Sequence, residues 1–140
     1  MGEWERALIP VVRYMLLCDD VRIDPENPAC VHIDCLVGNI KSLEEPPFPL
    51  IREMLCVYLV LTECYGKGVA QIRVVSVDGE QEQPLFGSPP RSLDFAGHSP
   101  LEQIGVVFRL EGCPFPYAGP YSVQFWYNEQ KIEERPLRLR

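Results

Sequence analysis

The sequence predicts an all-β protein, an antiparallel sandwich of two sheets of the immunoglobulin-like or C2-like kind, with seven or eight short strands. Two observations predict this fold. Apolar and polar residues alternate with a period of two in one segment after another, as in strands with one buried face. Fourteen prolines among 140 residues divide the chain into short segments, which leaves room for at most one or two short helical turns.

The first half of the chain contains a possible helical turn and two predicted strands. Residues 3–9 could form that turn before Pro10. Residues 11–18 are nearly all apolar and are predicted as a strand, followed by Asp19 and Asp20. Residues 31–37 alternate and form a second strand, which Gly38 bends or ends. Residues 42–49 are rich in proline and are predicted to cross between strands without pairing.

The middle of the chain is predicted to hold two longer strands. Residues 54–62 are apolar on both parities, which is typical of a central strand covered on both faces. Residues 70–76 alternate and are predicted to be its partner strand, ended by the turn residues Asp78 and Gly79.

Short elements follow before the next long strand. Residues 83–86 and 93–95 are predicted as brief strands. Ser99, Pro100 and Glu102 have the spacing of a helix start, with a capping serine and a glutamate three residues later. Only one turn fits there, because residues 104–110 alternate as a strand directly afterwards.

A hairpin closes the chain and is its clearest fold signal. Its first strand alternates between an apolar and a mixed face, the apolar one formed by Tyr121, Val123, Phe125 and Tyr127. In its second strand, Ile132 and the pair Leu137 and Leu139 have opposite parities, which predicts a bulge or bend near Pro136. Gly119-x-Tyr121 resembles the tyrosine-bearing corner of immunoglobulin-like domains.

Charge and cysteine content limit the classes of partner. A net charge of −7 and a pI near 4.8 argue against nucleic acid or an anionic membrane, which both need a basic patch. Arg135, Arg138 and Arg140 are a local exception, better explained by a charge-protected edge strand than by a phosphate site. No apolar run reaches the roughly 20 residues of a membrane helix, and the first residues lack the plan of a signal peptide. The six cysteines are therefore expected to be reduced in a cytoplasm.

A family resemblance covers nearly the whole chain. It rests on Leu17-Cys18-Asp19-Asp20-Val21, Leu36-Val37-Gly38-Asn39-Ile40 and Pro46-Pro47-Phe48-Pro49, on the strand pair around Asp78-Gly79, and on Gly119-x-Tyr121 with Pro136-Leu137-x-Leu139. With these segments in this order, the chain resembles a family of small bacterial proteins described only as a domain of unknown function. The resemblance implies a bacterial β-sandwich and supplies no catalytic residue.

Two metal sites are weaker hypotheses. Asp19, Asp20 and Asp24 could line a calcium or ligand site on a loop between strands, although calcium needs six to eight oxygens from converging loops. Cys30, His32 and Cys35 could bind zinc. In a strand, however, Cys30 and His32 would share one face while Cys35 pointed to the other. We expect no metal or other cofactor.

Catalysis is not expected. The two histidines, His32 and His98, have serines and aspartates near them in sequence, but no nucleophile elbow is present. No glycine loop of the phosphate-binding kind occurs either.

Trp126 is the best candidate for contact with a partner. It faces away from the apolar side of its strand, and Phe115 and Tyr117 precede it in a loop, so the three could anchor another protein. The alternative is that Trp126 packs within its own chain, against Trp4 or Leu8. The sequence thus predicts a single domain, residues 1–140, acting as a non-catalytic interaction or structural module that binds another protein or itself.

Overall fold

The computed structural model describes residues 9–140 and builds them from ten strands. These are β1 (Val11–Ile23), β2 (Val31–Leu36), β3 (Asn39–Ile40), β4 (Leu50–Thr62), β5 (Lys67–Asp78), β6 (Gln81–Gly87), β7 (Arg91–Asp94), β8 (Ile104–Phe115), β9 (Gly119–Tyr127) and β10 (Gln130–Leu139). No helix occurs in this part of the chain, so none there has the length and hydropathy to span a bilayer.

The strands form two sheets. The first has the order β2-β1-β4-β8, and the second has the order β3-β10-β9-β5-β6, with β7 beside the first half of β5. All pairs are antiparallel except the short contact of β3 with β10. The prediction of an all-β, two-sheet sandwich is therefore confirmed, and β3 is a strand that the sequence analysis did not anticipate.

The core lies between the inner faces of the two sheets. Tyr121, Val123, Phe125 and Tyr127 of β9 are at most 1% exposed, as their alternation predicts. They face residues of β4 such as Leu55, Leu59 and Leu61, which are fully buried. Each of the two long central strands thus supplies one side of a common apolar layer.

The predicted pairing of residues 54–62 with 70–76 is wrong. β4 lies between β1 and β8 in the first sheet, whereas β5 lies between β9 and β6 in the second. The chain crosses between the sheets at Glu63 and Gly66, which both have positive φ angles, 54° and 62°. Sequence adjacency suggested a hairpin, but both strands are apolar enough to be central, and each sheet takes one of them.

The bulge of the closing hairpin is also not where it was predicted. The register of β10 on β9 shifts between Lys131 and Glu133, and Pro136 pairs regularly with Ser122. The extra residue is therefore Ile132, which accounts for the change of parity. Pro136 is tolerated because only Arg138 and Leu139 of β10 pair with β3, so no partner strand needs its missing N–H.

Other elements match their predictions. The Asp78-Gly79 turn joins β5 to β6, and Gly79 has a φ of 63°. Residues 99–102 form a single turn, and the proline-rich residues 42–49 pair with no strand. The helical turn predicted for residues 3–9 falls almost entirely outside the described residues.

Candidate functional site

The outer face of the first sheet, the side away from the core, is apolar across its central strands. On β1 it carries Tyr14, Leu16 and Cys18, which are the register partners of Val60, Tyr58 and Cys56 on β4. An outer sheet face normally alternates to polar residues, which hydrate well. This one must therefore be covered, at least in part, by something else.

A hairpin of the same chain provides the cover. β1 pairs with β4 as far as Cys18, whose partner is Cys56, and then continues with β2 as a hairpin that folds back over the sheet. The guanidinium of Arg109, on the outer face of β8, donates a hydrogen bond to the carbonyl of Val21 at 2.9 Å. At the bend, Cys35 has a φ of 54°, in the left-handed region that residues with a Cβ rarely adopt.

The folded-back hairpin buries a second, smaller apolar cluster. Cys18, Val21 and Cys56 are at most 2% exposed, and the cluster is completed by partly buried neighbours, namely Val31, Ile33, Met54, Tyr58 and Val107. Burial raises the pKa of the Cys18 thiol to about 11, and it also raises the pKa of Cys56. Both thiols are therefore protonated at neutral pH and act as small apolar side chains.

Ion pairs fasten the base of this hairpin. Asp19 pairs with Arg52 of β4, and Asp20 lies 3.8 Å from Arg109 of β8. Within the hairpin, Arg22 pairs with Asp34 across the strands at 3.1 Å. These groups are partly exposed, so each pair stabilises weakly, but together they favour the folded-back position.

Between the tip of the hairpin and the sheet lies a cleft of about 480 Å³. Its floor is formed by Tyr58, Val60, Ile104 and Gly105, and one wall by the hairpin residues Ile23, Pro28, Ala29 and Val31. His98, Glu102 and Gln103 form the opposite wall. The floor continues toward Tyr14, which is the register partner of Val60 on β1. Tyr14 is 57% exposed. We call this space the hairpin cleft.

The polar wall of the hairpin cleft is a well-anchored turn. Glu102 Oε1 accepts a hydrogen bond from the Ser99 N–H at 3.2 Å, as a capping box predicts. The carbonyl of Pro100 accepts one from the Glu63 N–H at 2.8 Å, which ties the turn to the end of β4. Nδ1 of His98 lies 2.9 Å from Glu102 Oε2. Hydrogen bonding from His98 and Ser99 lowers the pKa of Glu102, which is therefore ionised at neutral pH.

A glycine shapes the floor of the cleft. A Cβ atom on Gly105 would lie 2.9 Å from the Tyr58 hydroxyl and 3.3 Å from the ring. The bare backbone at this position therefore lets the tyrosine lie against β8. Tyr58 and Gly105 both line the cleft.

The predicted calcium site is not assembled. Asp19 and Asp20 belong to strand β1 rather than to a loop, and each faces an arginine. Asp24 is in the hairpin turn and caps it by accepting a hydrogen bond from the Glu26 N–H at 2.8 Å. The strand was predicted to end at Cys18, but pairing with β2 and contacts with Arg52 and Arg109 continue β1 through both aspartates.

The predicted zinc ligands are only partly together. Sγ of Cys30 lies 3.7 Å from Nε2 of His32, both near the hairpin tip, while Cys35 is exposed at the bend. Within residues 9–140, no three His, Cys, Asp or Glu side chains are close enough to hold a metal ion.

Trp126 lies on the outer face of the second sheet, far from the hairpin cleft in the fold. The guanidinium of Arg73 covers its ring at 4.0 Å from the centroid, and its indole N–H donates to Gln124 Oε1 at 2.9 Å. Cover by Trp4 or Leu8 concerns residues outside the described range. Trp126 is thus half-buried under a neighbouring strand's side chain.

The other two predicted anchors differ from each other. Phe115 is fully buried in the core against Tyr121, so its prediction as a partner contact is wrong for the folded domain. Tyr117 is 48% exposed, and its hydroxyl donates to Ser76 Oγ at 3.1 Å. The Tyr121 hydroxyl donates to the Tyr117 carbonyl at 2.6 Å, which is the hydrogen bond of a tyrosine corner.

Sequence reasoning identified the turn at Ser99 and Glu102 and the apolar strand containing Tyr58, but it missed the cleft between them. The available signal was the excess of apolar residues on the outer parity of β1 and β4. Which segment covers these outward-facing apolar residues depends on where the hairpin bends, at Asp19 and Cys35. No local sequence pattern indicates that bend.

The fold is similar to parts of two larger solved proteins. One is the Pseudomonas fluorescens alkylpurine DNA glycosylase AlkC bound to DNA containing an abasic site analogue. The identity is 13% and the TM-score 0.52, over 94% of this chain and 30% of that one. The other is the beta-glucosidase from Listeria innocua in complex with glucose. There the identity is 12% and the TM-score 0.49, over 90% of this chain and 16% of that one. The chain spans less than a third of either protein, and the first likeness shows a shared fold alone.

Comparison with curated proteins gives no match. The model of a family described as a family of unknown function (DUF6941) matches residues 13–140, which include every strand except the first two residues of β1. The resemblance to a domain of unknown function is therefore confirmed. The chain belongs to the family of unknown function DUF6941.

Proposed function

We propose that this domain is a non-catalytic protein-interaction module and that the hairpin cleft receives an extended segment of its partner. The observation that carries the proposal is the cleft itself, an apolar floor between a folded-back hairpin and an anchored turn. Concave apolar sites with a few polar groups are the usual form of binding sites. The exposed continuation of the floor toward Tyr14 favours a chain segment over a compact small molecule.

The absence of a nucleophile among the cleft's lining residues supports a non-catalytic role. His98 and Glu102 form a pair that could orient a base, but the lining residues include no serine, threonine or cysteine that His98 could activate. The pair instead fixes the position of the Glu102 carboxylate.

Nucleic acid is a poorer partner for this chain. One similar structure is that of a DNA glycosylase bound to DNA, but a likeness at 13% identity extends to fold only. The net charge of −7 would repel the phosphate backbone.

A photo-crosslinking experiment in the native cell tests the proposal. A benzophenone amino acid replaces Leu101, which is 88% exposed on the turn that forms the cleft wall. The matched control position is Leu43, 90% exposed in the loop before β4 and therefore at the opposite end of that strand. We expect a discrete protein adduct from position 101 and none from position 43.

A second pair of variants connects the adduct to the cleft. Ala29→Trp places a large ring in the hairpin wall, while Ala118→Trp does so in the exposed loop between β8 and β9. The adduct should disappear with Ala29→Trp and persist with Ala118→Trp. An adduct that survives Ala29→Trp, or identical adducts from positions 101 and 43, would refute the proposal. Loss of the adduct only when a small molecule is added would favour a ligand instead.

A further inference from the structure

We propose that the partner segment presents a lysine or arginine to the hairpin cleft, with its cation beside Glu102 and its aliphatic stem across Tyr58 and Val60. This inference rests on the proposed function and specifies the chemistry of the partner. It comes from the combination of charge and apolar surface in the lining of the cleft.

The charge of the cleft is negative and uncompensated by any fixed cation. Glu102 is the one carboxylate in its lining, and the lining contains neither lysine nor arginine. His98 is its sole possible counter-charge there, and only when protonated. Asp24 and Glu26 in the hairpin turn add further negative charge above the wall. A cationic side chain is therefore complementary to this site, whereas an acidic one would be repelled.

The Glu102 carboxylate has hydrogen-bonding capacity left. Its Oε1 accepts from the Ser99 N–H, and its Oε2 lies within hydrogen-bonding distance of His98. A carboxylate offers about four lone-pair directions, so about two remain for a ligand. Because both contacts are local, the carboxylate is already held in place before a partner arrives, and little side-chain entropy is lost on binding.

The floor suits the stem of a long basic side chain. Lysine and arginine bury their methylene groups along apolar surface while the charged end reaches a polar group. Tyr58 and Val60 lie on the same outer parity of β4 and are half-buried. Tyr58, which lines the cleft, also carries a hydroxyl that can accept a hydrogen bond.

Three short peptides with one variable position test the inference by chemical-shift mapping on the ¹⁵N-labelled protein. They are acetyl-Ala-Ala-X-Ala-Ala-amide with X as arginine, norleucine or glutamate. We expect the amides of Gly105 and Glu102 to shift, and the arginine peptide to bind about fivefold more tightly than the norleucine peptide at low salt. The preference should weaken as salt is added, because the ion pair is screened.

Two variants separate this inference from the proposed function. Glu102→Gln should remove the preference for arginine without removing binding, whereas Glu80→Gln, in an exposed turn, should leave the preference unchanged. Equal binding of the arginine and norleucine peptides at Gly105 would overturn the inference and retain the cleft as the docking site. Failure of all three peptides to shift Gly105 would count against both.

Discussion

The outer faces of the two sheets differ in chemistry although their strands belong to one sandwich. The outer face of the first sheet is apolar and is covered by the chain's own hairpin, which leaves a cleft. The outer face of the second sheet is mixed, because polar side chains that hydrogen-bond to one another lie beside Val75, Val77 and Trp126. This difference is the reason for proposing that a partner binds on the first sheet.

On the second sheet the polar groups are satisfied internally. Gln124 is only 1% exposed. Its Nε2 donates to the Glu82 carboxylate at 3.1 and 3.2 Å, and its Oε1 accepts from Trp126. Ser122 Oγ donates to Glu134 Oε2 at 3.1 Å. Hydrogen bonding from Lys131, and to a smaller extent from Ser122, lowers the pKa of Glu134.

A polar surface whose groups are paired gains little from being covered, because each covered group would exchange one hydrogen bond for another. An apolar surface gains free energy in proportion to the area removed from water. Covering the outer face of the first sheet is therefore favourable, which supports the proposal that a partner binds there. From the sequence, the partner surface was predicted at Trp126, which lies on the other face.

The largest expected effect comes from placing a polar group in the apolar cluster under the hairpin. Val21→Asn would lose apolar burial and leave an amide without partners, which costs about 3 kcal/mol in unfolding free energy. Val69→Asn, at a position 42% exposed on β5, is the control and should cost less than about 1 kcal/mol. Urea denaturation measures both. Equal costs would mean that the hairpin does not cover Val21.

Two tyrosines on the same face of β9 test the rule that a buried polar group stabilises the fold only when it has a hydrogen-bond partner. Tyr121 donates to the Tyr117 carbonyl, so Tyr121→Phe should destabilise by about 2 kcal/mol. The buried hydroxyl of Tyr127 has no partner within residues 9–140, so Tyr127→Phe should be neutral or slightly stabilising. Thermal unfolding of the two variants decides the matter. A cost for Tyr127→Phe as large as that for Tyr121→Phe would show that its hydroxyl has a partner.

A smaller effect is expected from alkaline pH. Burial, with a lesser contribution from Cys56, raises the pKa of Cys18 from 9.0 to about 11. Its contribution to stability is thus complete below pH 9 and is lost as the pH rises from 9 to 11, because the unfolded thiol releases its proton first. Replacing this thiol by Cys18→Val should reduce the loss of stability between pH 8 and pH 10 by about 1 kcal/mol.

The control for this measurement removes apolar contacts from the same cluster without removing a thiol. Val31→Ala should lower the unfolding free energy by a similar amount at pH 8 and at pH 10. If Cys18→Val unfolds with the same pH profile as the unmodified protein, Cys18 is not shielded by the hairpin.

The smallest effect concerns the bend that folds the hairpin back. Cys35 has a φ of 54°, which costs a residue with a Cβ about 1 kcal/mol or more. Cys35→Gly removes that cost and should stabilise by about 0.5 kcal/mol after the greater entropy of an unfolded glycine is counted. Cys30→Gly, whose φ is not positive, should destabilise by a similar amount. The same sign for both variants in urea denaturation would contradict the bend as described.

Several particular residues show how far local patterns reach. The alternation of Tyr121 to Tyr127 predicted a buried face correctly because side chains of one strand must alternate between the two sides of its sheet. The capping box at Ser99 and Glu102 was also predictable, because its hydrogen bonds join residues three apart. By contrast, the position of the bulge at Ile132 was not, since parity requires a bulge but does not say where along the strand it occurs.

By itself the sequence determined the all-β class, the positions of most strands along the chain and the closing hairpin, because these depend on neighbours within a few residues. It also determined the acidic net charge, which is a sum over the composition. Only the tertiary structure decided that β4 and β5 belong to different sheets and that the hairpin folds back over the first sheet. It also brought Tyr58, Glu102 and Val31 to one cleft. Such contacts join residues far apart in the chain. Their free energy comes from burying apolar surface and from arginine contacts, and local periodicity does not show which distant residues will meet.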